Sequence, residues 1–401
     1  MGNEKSLDQF GRRRSLLIAS AGLAVAGMTG LPRLARAAET IKVGILQPFS
    51  GGLEALGEQG GQAARLALDE ANDAGGVLGG RMFEIIRADT KTDPKTAVER
   101  TNELIRRYKV NAIIGPVTSA ERDAIRPLVE RYKTPLLYAT DYEGGTCSRY
   151  LTMYSSVPAQ WVNTFIPYVA QNGAKNLYLI GSDYVWPRKI NEAIRAVAAQ
   201  SGATVTAEEY APWGVKDYTG TLRKIASSGA DMVVISIVGA DAITFVKQFV
   251  AAGLKDKIKI AFFGFSENYI AGLTNAESDG ILTACNFTAG LDKPEAKELV
   301  KKMRAKFGPD AIVSNTVDAH YTLTRFYIEG IKRANSDNKE AITDAMVGHS
   351  MLSGNGEVTL RASDRHADLN ILIAQAKDGR MVIKKDIGRV VAPQQCAKPL
   401  A

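Results

Sequence analysis

Ile41-Lys-Val-Gly-Ile-Leu46 is a short apolar run with the length and composition of a buried strand. The next patterned segment is residues 60–72, Gly-Gly-Gln-Ala-Ala-Arg-Leu-Ala-Leu-Asp-Glu-Ala-Asn, in which small and apolar residues recur on one side of a helix. The first segment therefore predicts a strand, and the second predicts an amphipathic helix that packs against it.

The same order of strand, loop and helix recurs along the chain. The first series continues with strands and helices expected at 82–88, 94–108, 112–114, 120–132 and 135–138. After a polar, Gly-rich stretch at 141–149, a second series is expected at 176–180, 189–200, 204–210, 218–227, 232–238, 242–252 and 257–263. Short apolar strands that alternate with helices are typical of α/β proteins with parallel sheets. The sequence therefore predicts two doubly wound lobes.

Two extended segments, at 150–155 and 280–288, interrupt this rhythm and are expected to cross between the lobes. Two long helices, 294–307 and 316–335, are expected after the second crossing. The expected division of the chain is 38–153 plus 288–350 for lobe 1 and 154–287 plus 351–401 for lobe 2. We expect a hinge of three crossings, and the cleft between two hinged lobes is a natural ligand site.

The C-terminal tail has the pattern of a β-hairpin. Residues 369–377 and 380–386 are apolar, strand-like runs, and Asp378-Gly379 lies between them. An Asp-Gly pair between two such runs is a strong hairpin signal, because both residues tolerate positive φ.

Residues 1–37 have the pattern of an export signal. Arg12-Arg-Arg14 precedes a small-residue apolar run at 19–28, and Ala35-Arg-Ala37 supplies the small residues that signal peptidase accepts. Paired arginines before such a run are typical of the twin-arginine route, and the general secretory route is the alternative. A membrane anchor is disfavoured because the run is short and is interrupted by glycine. We expect a periplasmic protein, cleaved near Ala37-Ala38.

The composition is that of an ordinary globular protein, with 45% hydrophobic and 23% charged residues. Of the formal net charge of +7, residues 1–37 contribute +4 through six basic and two acidic side chains, so +3 belongs to the rest. Without a basic stripe interleaved with aromatic residues, nucleic acid is not expected as a partner.

The sequence has no recognisable catalytic constellation. Its three histidines, His320, His349 and His366, form neither a metal-ligand spacing nor an acid–base pair. It has no Gly-x-Ser-x-Gly elbow, no phosphate-binding loop and no Gly-x-Gly-x-x-Gly between a strand and a helix. We therefore expect a protein that is not an enzyme and uses no metal and no cofactor.

Polar and aromatic side chains follow the ends of five predicted strands. Ligands of open α/β sheets bind there, because loops and helix N-termini converge at the carboxyl ends of the strands. The residues in these positions are Ser119, Tyr138, Thr140, Asp183, Tyr184, Trp186, Gly239, Asp241, Ser266 and Glu267. Any single one can be an ordinary helix cap or turn residue, but together they predict a ligand cleft.

The chain has three cysteines, and an exported protein can keep a disulfide. Cys147 lies in a Gly-rich loop and Cys396 in a polar tail, whereas Cys285 lies in an apolar run at 281–287. We expect Cys147 and Cys396 to pair and Cys285 to be a buried free thiol.

Several motifs resemble those of type I periplasmic binding proteins of ABC importers. The opening of the branched-chain amino acid binding proteins is similar to Gly44-Ile-Leu-Gln-Pro-Phe-Ser-Gly51, Leu66-Ala-Leu-Asp-Glu-Ala-Asn72 and Gly75-Gly-Val-Leu-Gly79. The urea and short-chain amide branch of the family is similar to Tyr142-Glu-Gly144, Gly181-Ser-Asp-Tyr-Val-Trp-Pro-Arg188 and Gly356-Glu-Val-Thr359. The resemblance covers nearly the whole chain after residue 37.

This resemblance implies a venus-flytrap protein that captures a small solute in the cleft and delivers it to an inner-membrane permease and its ATPases. The implied solute is an amide, a urea-like compound or a branched-chain-type amino acid, and the implied state is a monomer. A ligand-sensing regulator of the amide-responsive type is the alternative, and the export signal argues against it.

The resemblance also implies roles for individual residues. Ser119 and Thr140 would contact the polar head of the ligand through their hydroxyls. Aromatic walls would come from Tyr138, Tyr184 and Trp186. Glu267 would accept from an N–H or ammonium group, with Asp183 and Asp241 as the next candidates. Where the urea and amide branch usually has an aromatic residue, this chain has Val117, which implies room for a ligand larger than urea.

Overall fold

The computed structural model describes residues 39–154 and 156–400. The expected export signal at 1–37 lies outside the described residues. Among the helices of the described part, none is both long enough and apolar enough to cross a membrane.

The strands of the described residues form two sheets. In chain order they are β1 Ile41–Gln47, β2 Phe83–Asp89, β3 Ala112–Ile114, β4 Leu136–Tyr138, β5 Leu151–Met153, β6 Asn176–Ser182, β7 Thr204–Ala211, β8 Met232–Ser236, β9 Lys259–Phe262, β10 Leu282–Cys285, β11 His349–Ser353, β12 Gly356–Leu360, β13 Ala367–Lys377 and β14 Arg380–Val390.

Helices separate most of the strands up to β10, and three helices follow one another between β10 and β11. The helices are α1 Glu54–Asp73, α2 Pro94–Asn102, α3 Ser119–Arg131, α4 Pro158–Gln171, α5 Val185–Gln200, α6 Thr219–Ser227, α7 Gly239–Ala251, α8 Glu267–Ile270, α9 Asn275–Ser278, α10 Pro294–Phe307, α11 Asn315–Ala334 and α12 Lys339–Ala345. A π-helical segment, Glu103–Tyr108, continues α2.

The first sheet is parallel throughout, in the order β2-β1-β3-β4-β5. Its inner strands, such as Ala112–Ile114, are buried along their whole length because helices cover both faces. Helix α11 returns late in the chain to pack beside α1, where the Tyr321 hydroxyl donates to Glu70 Oε2 at 2.7 Å. The predicted α/β class with a parallel sheet is confirmed here.

The second sheet is mixed, in the order β11-β12-β13-β10-β9-β8-β6-β7, with β14 paired to β13. The strands β6 to β10 are parallel, and β11 to β14 are antiparallel. The predicted hairpin is β13 with β14, and its turn residues Asp378 and Gly379 have φ of 51° and 71°. These values match the positive φ that a two-residue hairpin turn requires.

Some elements differ from the sequence predictions. The segments 150–155 and 280–288 contain β5 and β10, which are strands inside the two sheets and not free crossings. Helix α4 was not predicted, because Pro158 and Pro167 interrupt its apolar pattern; Pro158 occupies the first helical turn, where its missing N–H costs nothing. The chain passes between the sheets after β5 and before α4, and again at 286–293 and 346–348.

Candidate functional site

A cavity lies where the carboxyl ends of strands from both sheets face each other. It encloses about 690 Å³, including space open to solvent. Its lining residues are Leu53, Leu56, Val117, Ser119, Ala139, Thr140, Asp141, Trp161, Tyr184, Trp186, Val238, Phe263, Gly264, Tyr269, Asn286, Asn315, Thr316 and Ala319. This is the position in which open α/β sheets bind ligands.

Most of the polar lining residues lie on the side of the first sheet, and we call Ser119, Thr140, Asp141, Asn315 and Thr316 the polar wall. Ser119 is the first residue of α3 and follows β3, whereas Thr140 and Asp141 follow β4. Asn315 and Thr316 begin α11. Hydroxyl, amide and carboxylate groups therefore surround this part of the cavity beside the N-termini of two helices, where unpaired backbone N–H groups concentrate.

The wall on the side of the second sheet is mainly aromatic. Trp161 comes from α4, Phe263 directly follows β9, and their ring centroids lie 5.2 Å apart. The ring of Trp186 lies 6.1 Å from that of Trp161 and 6.4 Å from that of Tyr184. Tyr269 from α8 also lines this side of the cavity, and we call these five aromatic residues the aromatic wall.

The Ser119 hydroxyl is held by a buried ion pair behind the polar wall. Its Oγ donates to Glu143 Oε2 at 2.6 Å, and Arg122 Nη2 donates to Glu143 Oε1 at 2.6 Å. The Arg122 side chain is fully buried and also pairs with Asp123 at 2.9 Å. The charge of Arg122 is therefore balanced by protein carboxylates, and the orientation of Ser119 is fixed.

Asp141 is the one lining residue with a side chain that is charged at neutral pH, among the described residues. Its Oδ1 accepts from the Ser156 backbone N–H at 2.8 Å, and its Oδ2 accepts from Asn315 Nδ2 at 3.4 Å. Burial raises the pKa of Asp141 to about 6, and the hydrogen bonds from Ser156 oppose that rise.

Four of the residues expected from the sequence line the cavity: Ser119, Thr140, Tyr184 and Trp186. The strands that precede them end at the cavity. They come from both sheets, as a cleft between two α/β bodies requires.

The other six expected residues, among them Gly239 and Ser266, do not line the cavity. The Tyr138 hydroxyl donates to the Val117 carbonyl oxygen at 2.7 Å in a buried position. Glu267 Oε1 accepts from Thr288 Oγ1 at 2.6 Å and from the Ala289 N–H at 2.7 Å. Asp183 is half-exposed and pairs with Arg188 at 2.6 Å, and Asp241 Oδ2 accepts from the Gly214 N–H at 2.7 Å. Sequence position places a residue at a strand end but does not fix the direction of its side chain.

Several lining residues were not identified from the sequence. Asp141 directly follows Thr140 at the same strand end, and this position next to an expected site residue could have identified it from the sequence. Trp161 gave no signal because α4 was not predicted. The remaining polar and aromatic members are Phe263, Tyr269, Asn286, Asn315 and Thr316.

A disulfide joins Cys147 to Cys396, with Cα atoms 5.5 Å apart, and Cys285 is a buried free cysteine. This is the pair expected from the sequence. The bond ties the C-terminal tail to the loop between β4 and β5, which also carries Thr140 and Asp141. Among the described residues, no group of His, Cys, Asp and Glu side chains could hold a metal ion.

Comparison with known proteins gives consistent relatives. The chain is 25% identical over 362 residues to Leu/Ile/Val-binding protein homolog 6 of Brucella melitensis, covering 85% of this chain and 90% of that protein. It is similar to a solute-binding protein of an ABC transporter from R. palustris in complex with benzoate, with a TM-score of 0.83, 22% identity and coverage of 90% and 100% of the two chains.

A second solved structure is the branched-chain amino acid transporter substrate-binding protein of Streptococcus pneumoniae in complex with isoleucine, with a TM-score of 0.78, 23% identity and coverage of 88% and 99% of the two chains.

These likenesses confirm the type I periplasmic binding protein fold. The homologues are solute-binding proteins and not enzymes. The family model for periplasmic binding proteins matches residues 40–380, and this chain belongs to that family.

Proposed function

We propose that this chain is the solute-binding component of an ABC importer and that it holds one small organic solute in the cavity between its two sheets. The observation that carries this proposal is the cavity itself, with a polar wall from one sheet and an aromatic wall from the other. A solute enclosed by both walls makes contacts that neither wall offers alone, so its binding favours the closed arrangement.

The two walls fit a solute with one polar head and one apolar or flat body. Ser119, Thr140 and Asn315 offer hydrogen bonds to the head, and the aromatic wall offers stacking and apolar contact to the body. The classes in view are an amide or urea-like compound and a branched-chain-type amino acid. Val117 lies in the lining and leaves more space than an aromatic residue would, which favours a solute larger than urea.

The partners follow from this function. An importer component would work in the periplasm and would pass its solute to an inner-membrane permease driven by ATPases. The alternative, a ligand-sensing regulator, would stay in the cytoplasm. Fractionation of cells that express the full chain separates the two, because only the importer component would appear in the periplasmic fraction with its N-terminus near Ala38.

A thermal-shift screen tests the proposal directly. The chain from Ala38 onward is tested against amides, ureas, amino acids, amines and small carboxylates, because a ligand that binds only the folded state raises its melting temperature. Thr140→Val removes one hydroxyl from the polar wall at nearly constant size. The matched control is Thr204→Val, at an exposed position in β7.

We expect a solute that stabilises the wild type and the Thr204→Val protein equally and binds Thr140→Val at least about fivefold more weakly, as for one lost hydrogen bond. The proposal is wrong if no class of solute stabilises the wild type. It is also wrong if the best solute binds the two variants alike, because the solute would then lie outside the cavity.

A further inference from the structure

We propose that Asp141 is the specificity-determining residue of the cavity and that it selects a solute with a positively charged nitrogen. This inference rests on the proposed function, because it names the chemical class of the solute held in that same cavity. It separates a cationic solute from the neutral amides and the simple carboxylates that a cavity of this size also admits.

The first argument is the unused capacity of the Asp141 carboxylate. A carboxylate can accept about four hydrogen bonds. Among the described residues, Oδ1 accepts from the Ser156 N–H at 2.8 Å, and Oδ2 accepts from Asn315 Nδ2 over a long 3.4 Å. Asp141 lines the cavity, and we infer that its carboxylate also accepts a hydrogen bond from the solute.

The second argument is the lack of a balancing charge. The buried guanidinium of Arg122 is already paired with Glu143 and Asp123, and no lining residue other than Asp141, among the described ones, carries a charge. Glu267 adds a second buried carboxylate, whose Oε2 has no partner among the described residues. Burial raises the pKa of Cys285, and the charges of Glu267 and Asp141 raise it further, so both carboxylates act on the same region.

The third argument is the aromatic wall. Aromatic rings attract a cation through the negative charge on their faces, and the attraction is strongest where water is excluded. Trp161, Tyr184, Trp186, Phe263 and Tyr269 supply five rings on the side opposite the polar wall. A carboxylate and a set of rings around one cavity suit an organic ammonium group.

The competing solutes fit less well. A carboxylate without an amine would place a second negative charge beside Asp141 in a cavity of low polarity, which is strongly unfavourable. A neutral amide would donate hydrogen bonds but would leave the Asp141 charge buried and without a counter-charge. A protonated amine satisfies both the hydrogen bonding and the charge of the carboxylate.

The test uses three probes that share one ring and differ in charge: benzylamine, benzamide and benzoate. Isoleucine is added as a probe with both an ammonium and a carboxylate. Calorimetric titrations at pH 7.5 compare the wild type with Asp141→Asn, which keeps an acceptor oxygen for the Ser156 N–H. The control is Asp73→Asn, an exposed aspartate at the far end of α1 from the cavity.

We expect benzylamine or isoleucine to bind the wild type more tightly than benzamide and benzoate. Asp141→Asn should weaken the cationic probe at least about 30-fold and should improve benzamide or benzoate relative to benzylamine, while Asp73→Asn should change neither. A change of preference cannot result from partial unfolding, because unfolding weakens all four probes together.

A wild type that prefers benzamide or benzoate overturns the inference, and so does an Asp141→Asn protein that keeps the preference of the wild type. Both results leave the proposed function intact, because a small solute is still bound. Failure of all four probes also overturns the inference, whereas the proposed function fails only when the complete screen yields no ligand.

Discussion

The backbone N–H of Ala240 donates a hydrogen bond to the carbonyl oxygen of Gly52, with 3.4 Å between nitrogen and oxygen, and this contact joins the two walls at the edge of the cavity. Ala240 belongs to α7 beside the second sheet, and Gly52 precedes α1 beside the first sheet. The approach depends on Gly239, because a Cβ at that position would lie 2.5 Å from the Gly52 oxygen.

Gly239→Ala should therefore oppose closure. Gly239 has φ +66°, so alanine costs about 1–2 kcal/mol in the backbone in addition to the collision with Gly52. Gly253→Ala is the matched control, because Gly253 has φ +67° and nothing within 4 Å of an added Cβ. Both variants should lose similar thermal stability, but only Gly239→Ala should lose solute affinity, by about tenfold or more. Equal affinities in a calorimetric titration would show that this contact does not contribute to closure.

Glu267→Gln should leave the affinity nearly unchanged. Glu267 does not line the cavity, and glutamine keeps the oxygen that accepts from Thr288 and Ala289. We expect less than about a threefold change in the dissociation constant of the best solute, against at least about 30-fold for Asp141→Asn. A large loss in Glu267→Gln would mean that Glu267, and not Asp141, pairs with the solute.

The periplasmic protein should contain one free thiol. When it is denatured without reduction, only Cys285 should react with a thiol reagent, because Cys147 and Cys396 are joined. Replacement of both paired cysteines by serine should lower the free energy of unfolding by about 2–5 kcal/mol, since the bond closes a loop of 249 residues. Peptide mapping that finds three thiols, or a bond to Cys285, would contradict this assignment.

Stability should decrease in acid partly because of His320. Burial lowers the pKa of His320 to about 4, below its usual 6.5. Between these values the unfolded chain binds more protons than the folded chain, so this contribution is complete above pH 6.5 and is lost as the pH falls toward 4. The expected loss is about 2 kcal/mol between pH 7.5 and 5.

Denaturant unfolding at pH 7.5 and at pH 5 measures the contribution of His320 to the free energy of unfolding when the wild type is compared with His320→Gln. Buried carboxylates such as Asp141 and Asp318, whose pKa values burial raises to about 6, change stability in the opposite sense but are common to both proteins. His349→Gln is the control, because His349 is only half-buried. An unaltered pH dependence in His320→Gln would mean that His320 is not held neutral.

Local sequence was sufficient for the α/β class and for most element positions. The helix predicted at 294–307 is α10 with the same ends, because Pro294 begins it and Gly308 follows it. The Asp378-Gly379 turn was equally clear, since few residue pairs tolerate positive φ twice. Local sequence failed at α1, which begins at Glu54 and not at residue 60, because Leu53 has no side-chain cap there.

The sequence by itself determined the fold class, the strand ends at which a ligand site would lie and the pair of cysteines that the structure joins. Those features depend on hydrophobic periodicity, turn residues and composition, which neighbours along the chain carry. Only the tertiary structure decided that Asp141 lines the cavity while Glu267 turns toward Thr288, and that Trp161 meets Phe263. Side-chain direction and burial depend on contacts between segments far apart in the chain, and no local pattern encodes them.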